Sequence, residues 1–336
     1  MPIAQGVLSS PQANATFAEK GTMRFGIGIA LGGAVGAIAL ACSGPATRGA
    51  PAPLLAAASL TVPDIARLPD DEAGRLVRRG RDLVAHTADR IGPGTARAYS
   101  GNGLDCQSCH IEAGTRAFAL PLVAAYADYP QYRARSGRVE TIADRVNGCM
   151  MRSLNGRPLP VDGPEMTAIV AYLRFLSSAG ASSFGRGTGQ IAELSRPADP
   201  QRGSGIYARV CAACHGVDGA GQKSDEGKGY AVPPLWGRDS FNDGAGMARL
   251  IQAANFIHAQ MPPGGPGLAG EDAWDVAAYV EAHPRPHKAD LDADYPDRRT
   301  KPVDAPYGPY PDGFDARQHR FGPFAPIRQG HDGKGM

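Results

Sequence analysis

Apolar positions recur at helical spacing in five stretches of the chain, a period that is typical of amphipathic helices. The predicted helices cover residues 70–88, 165–177, 203–211, 247–258 and 271–283. Acidic residues open the first helix, where they favour the positive end of the helix dipole. Glycine, proline and small polar residues dominate between the helices, which predicts loops there. The sequence therefore predicts a mainly α-helical chain.

The order of the helices repeats along the chain, which predicts two tandem domains of about a hundred residues each. The predicted organisation is an export signal (1–42), an alanine- and proline-rich tether (43–65), a first domain (66–180), a linker (181–200), a second domain (201–285) and an extended, irregular C-terminal tail (286–336).

The pentapeptide Cys-x-x-Cys-His occurs once in each predicted domain, as Cys106 to His110 and as Cys211 to His215. The two thiols of each copy, Cys106 with Cys109 and Cys211 with Cys214, have the spacing needed to form thioethers to one haem edge. The adjacent histidine can then reach the iron. A redox dithiol or half of a zinc site is the alternative, but two copies among only six cysteines favour haem. The chain is thus predicted to carry two covalently bound haem c groups in two cytochrome c-like domains.

Composition agrees with this prediction and excludes one class of partner. The 336 residues include 44 glycines and 29 prolines with only 7% aromatics, which suits loop-rich domains whose core includes a haem. The formal net charge is only +2, and no run of basic residues accompanies it, so we expect no nucleic-acid binding.

The N-terminal region has the architecture of an export signal. Arg24 precedes an apolar stretch, 25–41, that ends in small residues, and Met23 is an alternative start. Cys42 follows Leu-Ala and resembles the lipid-modified cysteine of bacterial lipoproteins, so cleavage with or without a lipid anchor to the membrane remains open. Either outcome places the chain in the periplasm, where c-type haem is attached.

The residue that fills the sixth position of each haem iron separates an electron carrier from an enzyme. For the second haem the candidate is Met261, because Pro262 and Pro263 fix an extended loop beside it. Met247 is an alternative ligand, although packing within its predicted helix is the simpler interpretation. His258 is a third and weaker candidate.

For the first haem the candidate ligand is Cys149. Four of the six cysteines belong to the haem motifs and Cys42 to the signal, which leaves Cys149 without a partner. Lone cysteines are usually small buried hydrophobes. On a helix, however, Arg145, Arg152 and Ser153 would share its face, and positive charge favours the thiolate, which is both the metal ligand and the nucleophile. Met150 or Met151 remains the rival ligand.

Arginines cluster just before this cysteine. Arg133, Arg135 and Arg138 lie upstream of Arg145 and Arg152, so five arginines fall within twenty residues. Many arginines are ordinary surface charges, but guanidinium groups bind oxyanions through paired donors of fixed geometry. We therefore expect an anion site beside the first haem.

These residues resemble the dihaem cytochrome c thiosulfate dehydrogenases, which form tetrathionate and in some members reduce it. The resemblance covers about residues 66–327. Besides the two haem motifs, it is carried by residues 145–156, 256–262, 271–280, 307–310 and 318–324. The Cys-x-x-Arg-Ser-x-Asn-Gly segment that starts at Cys149 is the most specific of these features.

The resemblance implies an active-site haem with His110 and Cys149 as axial ligands, and an electron-transfer haem with His215 and Met261. Some members carry a lysine as an alternative second-haem ligand near the position of Met247, so any ligand exchange in this chain would involve the two methionines.

The resemblance also implies an arginine-lined pocket that holds thiosulfate. The candidate catalytic residues are Cys149, Arg135, Arg145, Arg152 and Ser153, of which Arg135, Arg152 and Ser153 are the candidates for contacting the substrate. Electrons would pass to a periplasmic cytochrome c or a similar acceptor. The alternatives are a non-catalytic dihaem electron carrier and a SoxA-like subunit of a sulfur-oxidising complex.

Overall fold

Helices make up most of the regular structure in the part of the chain that this computed structural model describes, residues 60–180, 185–225 and 227–332. The first half contains α1 (Glu72–Ala85), α2 (Thr87–Ile91), α3 (Ile111–Gly114), α4 (Ile142–Arg152) and α5 (Pro164–Leu176). The second half contains α6 (Pro200–Val210), α7 (Ala212–His215), α8 (Leu250–Gln260), α9 (Gly270–Ala282), α10 (Ala316–Phe321) and α11 (Ala325–Asp332). The mainly α prediction is confirmed.

Two antiparallel hairpins, which the sequence pattern did not predict, interrupt the helices. The first pairs β1 (Gln131–Arg133) with β2 (Arg138–Glu140), and the second pairs β3 (Gln222–Lys223) with β4 (Tyr230–Val232). The first hairpin lies within the arginine-rich stretch and carries Arg133 and Arg138.

Hydrogen bonds with capping side chains determine where helices α1 and α4 begin. The Asp71 carboxylate accepts a hydrogen bond from the backbone of Gly74, so α1 begins two residues later than predicted. Thr141 and Asp144 form a reciprocal capping box at the start of α4, the helix that carries Cys149.

The same helix crossing occurs in both halves of the chain. A Cβ atom on Gly80 of α1 would lie 2.0 Å from the Ala168 carbonyl oxygen of α5. A Cβ atom on Gly203 of α6 would lie 1.9 Å from the Asp275 carbonyl oxygen of α9. Only glycine allows backbones to approach this closely, so α1 packs against α5, and α6 against α9, at a glycine in each case.

The prediction that a helix starts at Met247 is wrong. Met247 lies in a separate 3-10 turn, Gly246–Ala248, and α8 begins only at Leu250. The Asp304 carboxylate causes this start: it accepts from the Ile251 backbone at 3.0 Å and binds the Arg249 guanidinium at 2.8 Å. A carboxylate at this position satisfies free N–H groups of the first turn.

The C-terminal tail is irregular over most of its described length, but it contains two short helices and contributes to the core. Phe321, Phe324 and Ile327 are buried and pack in one cluster with Trp274 of α9. The sparse apolar residues of the tail gave no helical period, but each of these three side chains is buried.

The predicted export signal, Cys42 and most of the tether lie outside the described residues. Within the described residues, no helix is long and apolar enough to cross a membrane.

Candidate active site and haem cavities

An apolar cavity lies at the second Cys-x-x-Cys-His motif. Cys211, Cys214 and His215 line it, and Met261 and Met247 contribute to its wall. The Nδ1 atom of His215 lies 2.9 Å from the Pro233 carbonyl oxygen, which can only accept, so Nδ1 donates and Nε2 is left for a metal. Burial lowers the pKa of His215 and keeps its imidazole neutral, the form that binds metals. The donor set and the apolar wall fit a haem c group.

A second apolar cavity lies at the first motif and repeats this arrangement. Cys106, Cys109 and His110 line it, with Cys149 among the facing residues. The Nδ1 atom of His110 donates to the Leu120 carbonyl oxygen, which again leaves Nε2 for a metal. These residues fit a second haem c group.

The two haem cavities share part of their walls. Leu104, Ser108, Cys109, Phe241 and Met247 line both cavities. Groups bound in the two cavities would therefore be neighbours on either side of a wall that includes these side chains.

A third cavity of about 430 Å³ opens beside the first haem cavity, and many charged side chains line it. We call it the anion pocket. Cys109, His110 and Cys149 line both this pocket and the first haem cavity. The guanidinium-bearing residues of the anion pocket are Arg133, Arg135, Arg138, Arg145, Arg152 and Arg249. All five arginines of the predicted cluster thus reach one pocket.

Cys149 and Arg145 form the electrostatic centre of the anion pocket. Both lie on α4, one helical turn apart, and Arg145 Nη1 donates to Cys149 Sγ at 3.0 Å. Burial by itself raises the pKa of the Cys149 thiol, but the charge of Arg145 and a hydrogen bond with His110 outweigh it and lower the pKa to about 6. Burial raises the pKa of Cys106 and Cys109 to about 12, because these thiols have no such cation. Cys149 is therefore poised as a thiolate.

The other predicted arginines differ in how their charge is used. Arg152 Nη2 binds the Asp294 carboxylate at 2.6 Å, so this charge is already paired. Arg135 Nε donates to the Tyr295 hydroxyl at 3.2 Å. Arg138 pairs with Asp144 at 3.2 Å near the solvent. The Arg133 side chain makes no ion pair among the residues described. Ser153, the C-cap of α4, lines the pocket, and its contact with substrate stays a prediction.

Sequence reasoning missed the residues that the tail and the second half contribute to the anion pocket. Asp294 lies in its wall, and Tyr307 donates its hydroxyl proton to Asp294 at 2.6 Å. Arg249 and Gln252, at the start of α8, also line it. These residues lie roughly a hundred or more positions from Cys149, and no local motif marks them.

The rival ligands fall in different places. Met150 is 1% exposed and lines the first haem cavity, so it stays a rival to Cys149 there. Met151 is 37% exposed and faces the anion pocket. In the second half, His258 Nδ1 contacts the Leu268 carbonyl oxygen at 2.9 Å, and His258 is not among the described residues that line the second haem cavity.

Two protein-family models match the two halves of the chain. "SoxA/TsdA, cytochrome c domain" matches residues 96–181, and "Cytochrome C oxidase, cbb3-type, subunit III" matches residues 198–280. These matches confirm the fold of two tandem cytochrome c domains and imply that the chain carries haem c. The predicted limits of the domains and of the linker stay predictions.

Comparisons with whole proteins point to one family. The chain is 41% identical to the thiosulfate dehydrogenase of Psychrobacter arcticus over 242 residues, which is 71% of this chain and 72% of that protein. It is 43% identical to the thiosulfate dehydrogenase of Allochromatium vinosum over 236 residues, 68% of this chain and 85% of that protein.

A solved structure agrees with these relatives. The chain is similar to thiosulfate dehydrogenase (TsdBA) from Marichromatium purpuratum in its "as isolated" form, with a TM-score of 0.65 and 37% identity. The similarity covers 71% of this chain and 52% of the solved one, so the chain spans about half the length of that protein.

Proposed function

Since the chain belongs to the thiosulfate dehydrogenase family, we propose that it oxidises two thiosulfate ions to tetrathionate in the anion pocket beside Cys149. One observation carries the proposal. The thiol of Cys149 lines both the arginine-lined pocket and the first haem cavity, and Arg145 and His110 lower its pKa and so favour the thiolate. An electron carrier needs neither the pocket nor the thiolate.

The first task of the pocket is to hold anions that repel each other. Thiosulfate carries two negative charges, and joining two of them brings four charges together. Arg133 and Arg145 make no ion pair with a carboxylate among the described residues, and Arg135 has only the distant Asp294, at 4.0 Å. Fixed guanidinium groups in a pocket stabilise such charge without the cost of reorienting water.

The second task is to form the new S–S bond. When it is not bound to the first iron, the Cys149 thiolate would form a Cys–S–S–SO₃⁻ adduct with one thiosulfate, and the two electrons released would go to two one-electron acceptors. The sulfane sulfur of the second thiosulfate then attacks the outer sulfur of the cysteine disulfide bond, which releases tetrathionate and restores the thiolate. Arg145 stabilises the thiolate before the first step and as the leaving group of the second.

Two haem c groups, when bound in the two cavities, supply two one-electron acceptors in series, which matches the two electrons released. We propose His110 and Cys149 as the residues that hold the first iron, and His215 and Met261 as those that hold the second. The shared wall that includes Phe241 supports direct passage between them.

The proposed setting is the periplasm, with a periplasmic cytochrome c or similar protein as the acceptor and Cys42 as a site for a lipid anchor. The same pocket serves tetrathionate reduction in reverse, and the direction depends on the potentials of the two haems.

The test uses the isolated full-length holoprotein with thiosulfate and ferricyanide. We expect thiosulfate-dependent reduction of the haems, with one tetrathionate formed per two ferricyanide reduced and two haems per chain by mass. Haem reduction without tetrathionate, or turnover only when a partner protein carrying a thiol is added, would instead favour a SoxA-like subunit. If thiosulfate does not reduce the haems, the protein is a non-catalytic electron carrier.

Replacing Met261 with leucine tests the ligand of the second haem. We expect Met261→Leu to lose the methionine-to-ferric-haem absorption band and to lower the second haem's reduction potential, because a thioether ligand raises it. Met247→Leu is the matched control, since Met247 lines the same cavity and should leave both properties unchanged. Loss of the band in Met247→Leu alone would reverse the assignment.

A further inference from the structure

Three carboxylates line the anion pocket, and Asp294 is the buried one, whereas Glu140 and Asp144 are half-buried. Asp294 is 6% exposed, and both its carboxylate oxygens have partners. Oδ1 lies 2.6 Å from Arg152 Nη2, and Oδ2 accepts from the Tyr307 hydroxyl at 2.6 Å. Arg135 Nε lies 4.0 Å from Oδ2.

The neighbours of Asp294 hold the same two arginines. Arg135 Nη1 and Arg152 Nη1 each donate to the Gly244 carbonyl oxygen at 3.2 Å. Tyr295, which follows Asp294, receives Arg135 Nε on its hydroxyl and donates its backbone N–H to the Arg135 carbonyl oxygen at 2.7 Å. Two guanidinium groups from the first half of the chain are thus fixed by acceptors from the second half and the tail.

A carboxylate at the position of Asp294 has an electrostatic cost for anion binding. A carboxylate in the wall repels a dianion, and since the pocket is partly closed to water, the repulsion is stronger than in bulk solvent. Neutralising Arg152, whose side chain is 13% exposed, needs a nearby carboxylate but not the second contact that Asp294 makes with Tyr307. A buried carboxylate with two partners instead fixes the direction of Arg152 and limits how tightly the pocket holds anions.

We propose that Asp294 is a positioning residue of the anion pocket. Its negative charge weakens the binding of a dianion, and its contacts hold Arg152 and Arg135 in the placement that turnover requires. The proposal rests on the proposed function for the identity of the substrate. The roles of Asp294, Arg152 and Arg135 are argued from the contacts in this structure. If the proposal is correct, the C-terminal tail is part of the active site.

Replacing Asp294 with asparagine separates the two effects. Asp294→Asn removes the repelling charge and frees Arg152, so we expect the affinity of the oxidised protein for sulfate, an unreactive dianion, to rise about tenfold in calorimetric titration. The kcat for thiosulfate should fall on the order of 10²-fold, because the arginines lose their fixed placement. A merely structural role would instead weaken both binding and turnover.

Two further variants control the result. Asp292→Asn removes a charge from an exposed residue of the same segment and should change neither quantity. Asp294→Glu keeps the charge but displaces it, so kcat should fall while sulfate affinity stays within about threefold of the wild type; this variant also tests positioning if Asp294→Asn does not fold. Unchanged kcat in Asp294→Glu, or equal or weaker sulfate binding in Asp294→Asn, overturns the proposal.

The sulfate titration is independent of the proposed function. If the wild-type protein does not turn over thiosulfate but Asp294→Asn still binds sulfate more tightly than Asp292→Asn, only the proposed substrate fails and Asp294 still limits the anion affinity of the pocket.

Discussion

Replacing Cys149 with glycine should lower the kcat for thiosulfate oxidation by roughly 10³-fold or more, the scale seen when an enzyme loses its nucleophile. The physical reason is that Cys149 is the thiol held beside a guanidinium group, with Arg145 at 3.0 Å. Glycine removes both the sulfur that would form the adduct and the proposed ligand of the first iron. The measurement is steady-state turnover with ferricyanide, together with the visible spectrum of each haem.

The Cys149→Gly protein should keep both haems, since Cys106, Cys109, Cys211 and Cys214 are untouched. Its second haem should still accept electrons from ascorbate with the wild-type spectrum. Only the first-haem spectrum should change, by loss of the features of a thiolate ligand.

Met150→Leu is the matched control for this experiment, because Met150 neighbours Cys149 on α4 and lines the same haem cavity. We expect nearly wild-type turnover and an unchanged first-haem spectrum. If Met150→Leu changes the spectrum and Cys149→Gly does not, Met150 is the ligand; if Cys149→Gly also retains turnover, the proposed chemistry is wrong.

Features that are local in the sequence could be predicted. The haem motifs are contiguous and carry their own chemistry, so the amino-acid sequence alone predicts a haem site at each of them. Arg145 and Cys149 are one turn apart on a helix, and helical geometry alone brings them into contact. The glycines at the two helix crossings fit the repeat that the helix order predicted.

Features that depend on distant parts of the chain could not be predicted. Asp304 sets the start of α8 from more than fifty residues away, so the helical period misplaced Met247. Asp294 pairs with Arg152 across 142 positions of the sequence. The tail has no periodic pattern of apolar residues from which its contribution to the pocket could be predicted. Arg152 therefore looked like a free cation from its neighbours in sequence, whereas its charge is paired.

Replacing Arg145 with glutamine should lower kcat/KM for thiosulfate by about 10²- to 10³-fold, as for loss of one charged donor from a preorganised site. Two effects combine. Without Arg145, burial raises the pKa of Cys149 and less thiolate is present, since the charge of Arg145 is the largest influence that lowers this pKa. The pocket also loses one of the guanidinium groups that offset repulsion between two dianions.

Two further variants test whether the effect of Arg145 comes from its charge, from the shape of its guanidinium group or from its position beside Cys149. They are Arg145→Lys and Arg138→Gln. Lysine keeps the charge but loses the planar fork, so Arg145→Lys should recover only part of the lost activity. Arg138 lines the same pocket, but its side chain is 59% exposed and pairs with Asp144, so Arg138→Gln should stay within about threefold of the wild type. Equal losses in Arg145→Gln and Arg138→Gln would mean that the pocket acts only through its total charge. Selective loss in Arg145→Gln places the chemistry at the arginine that contacts the sulfur of Cys149.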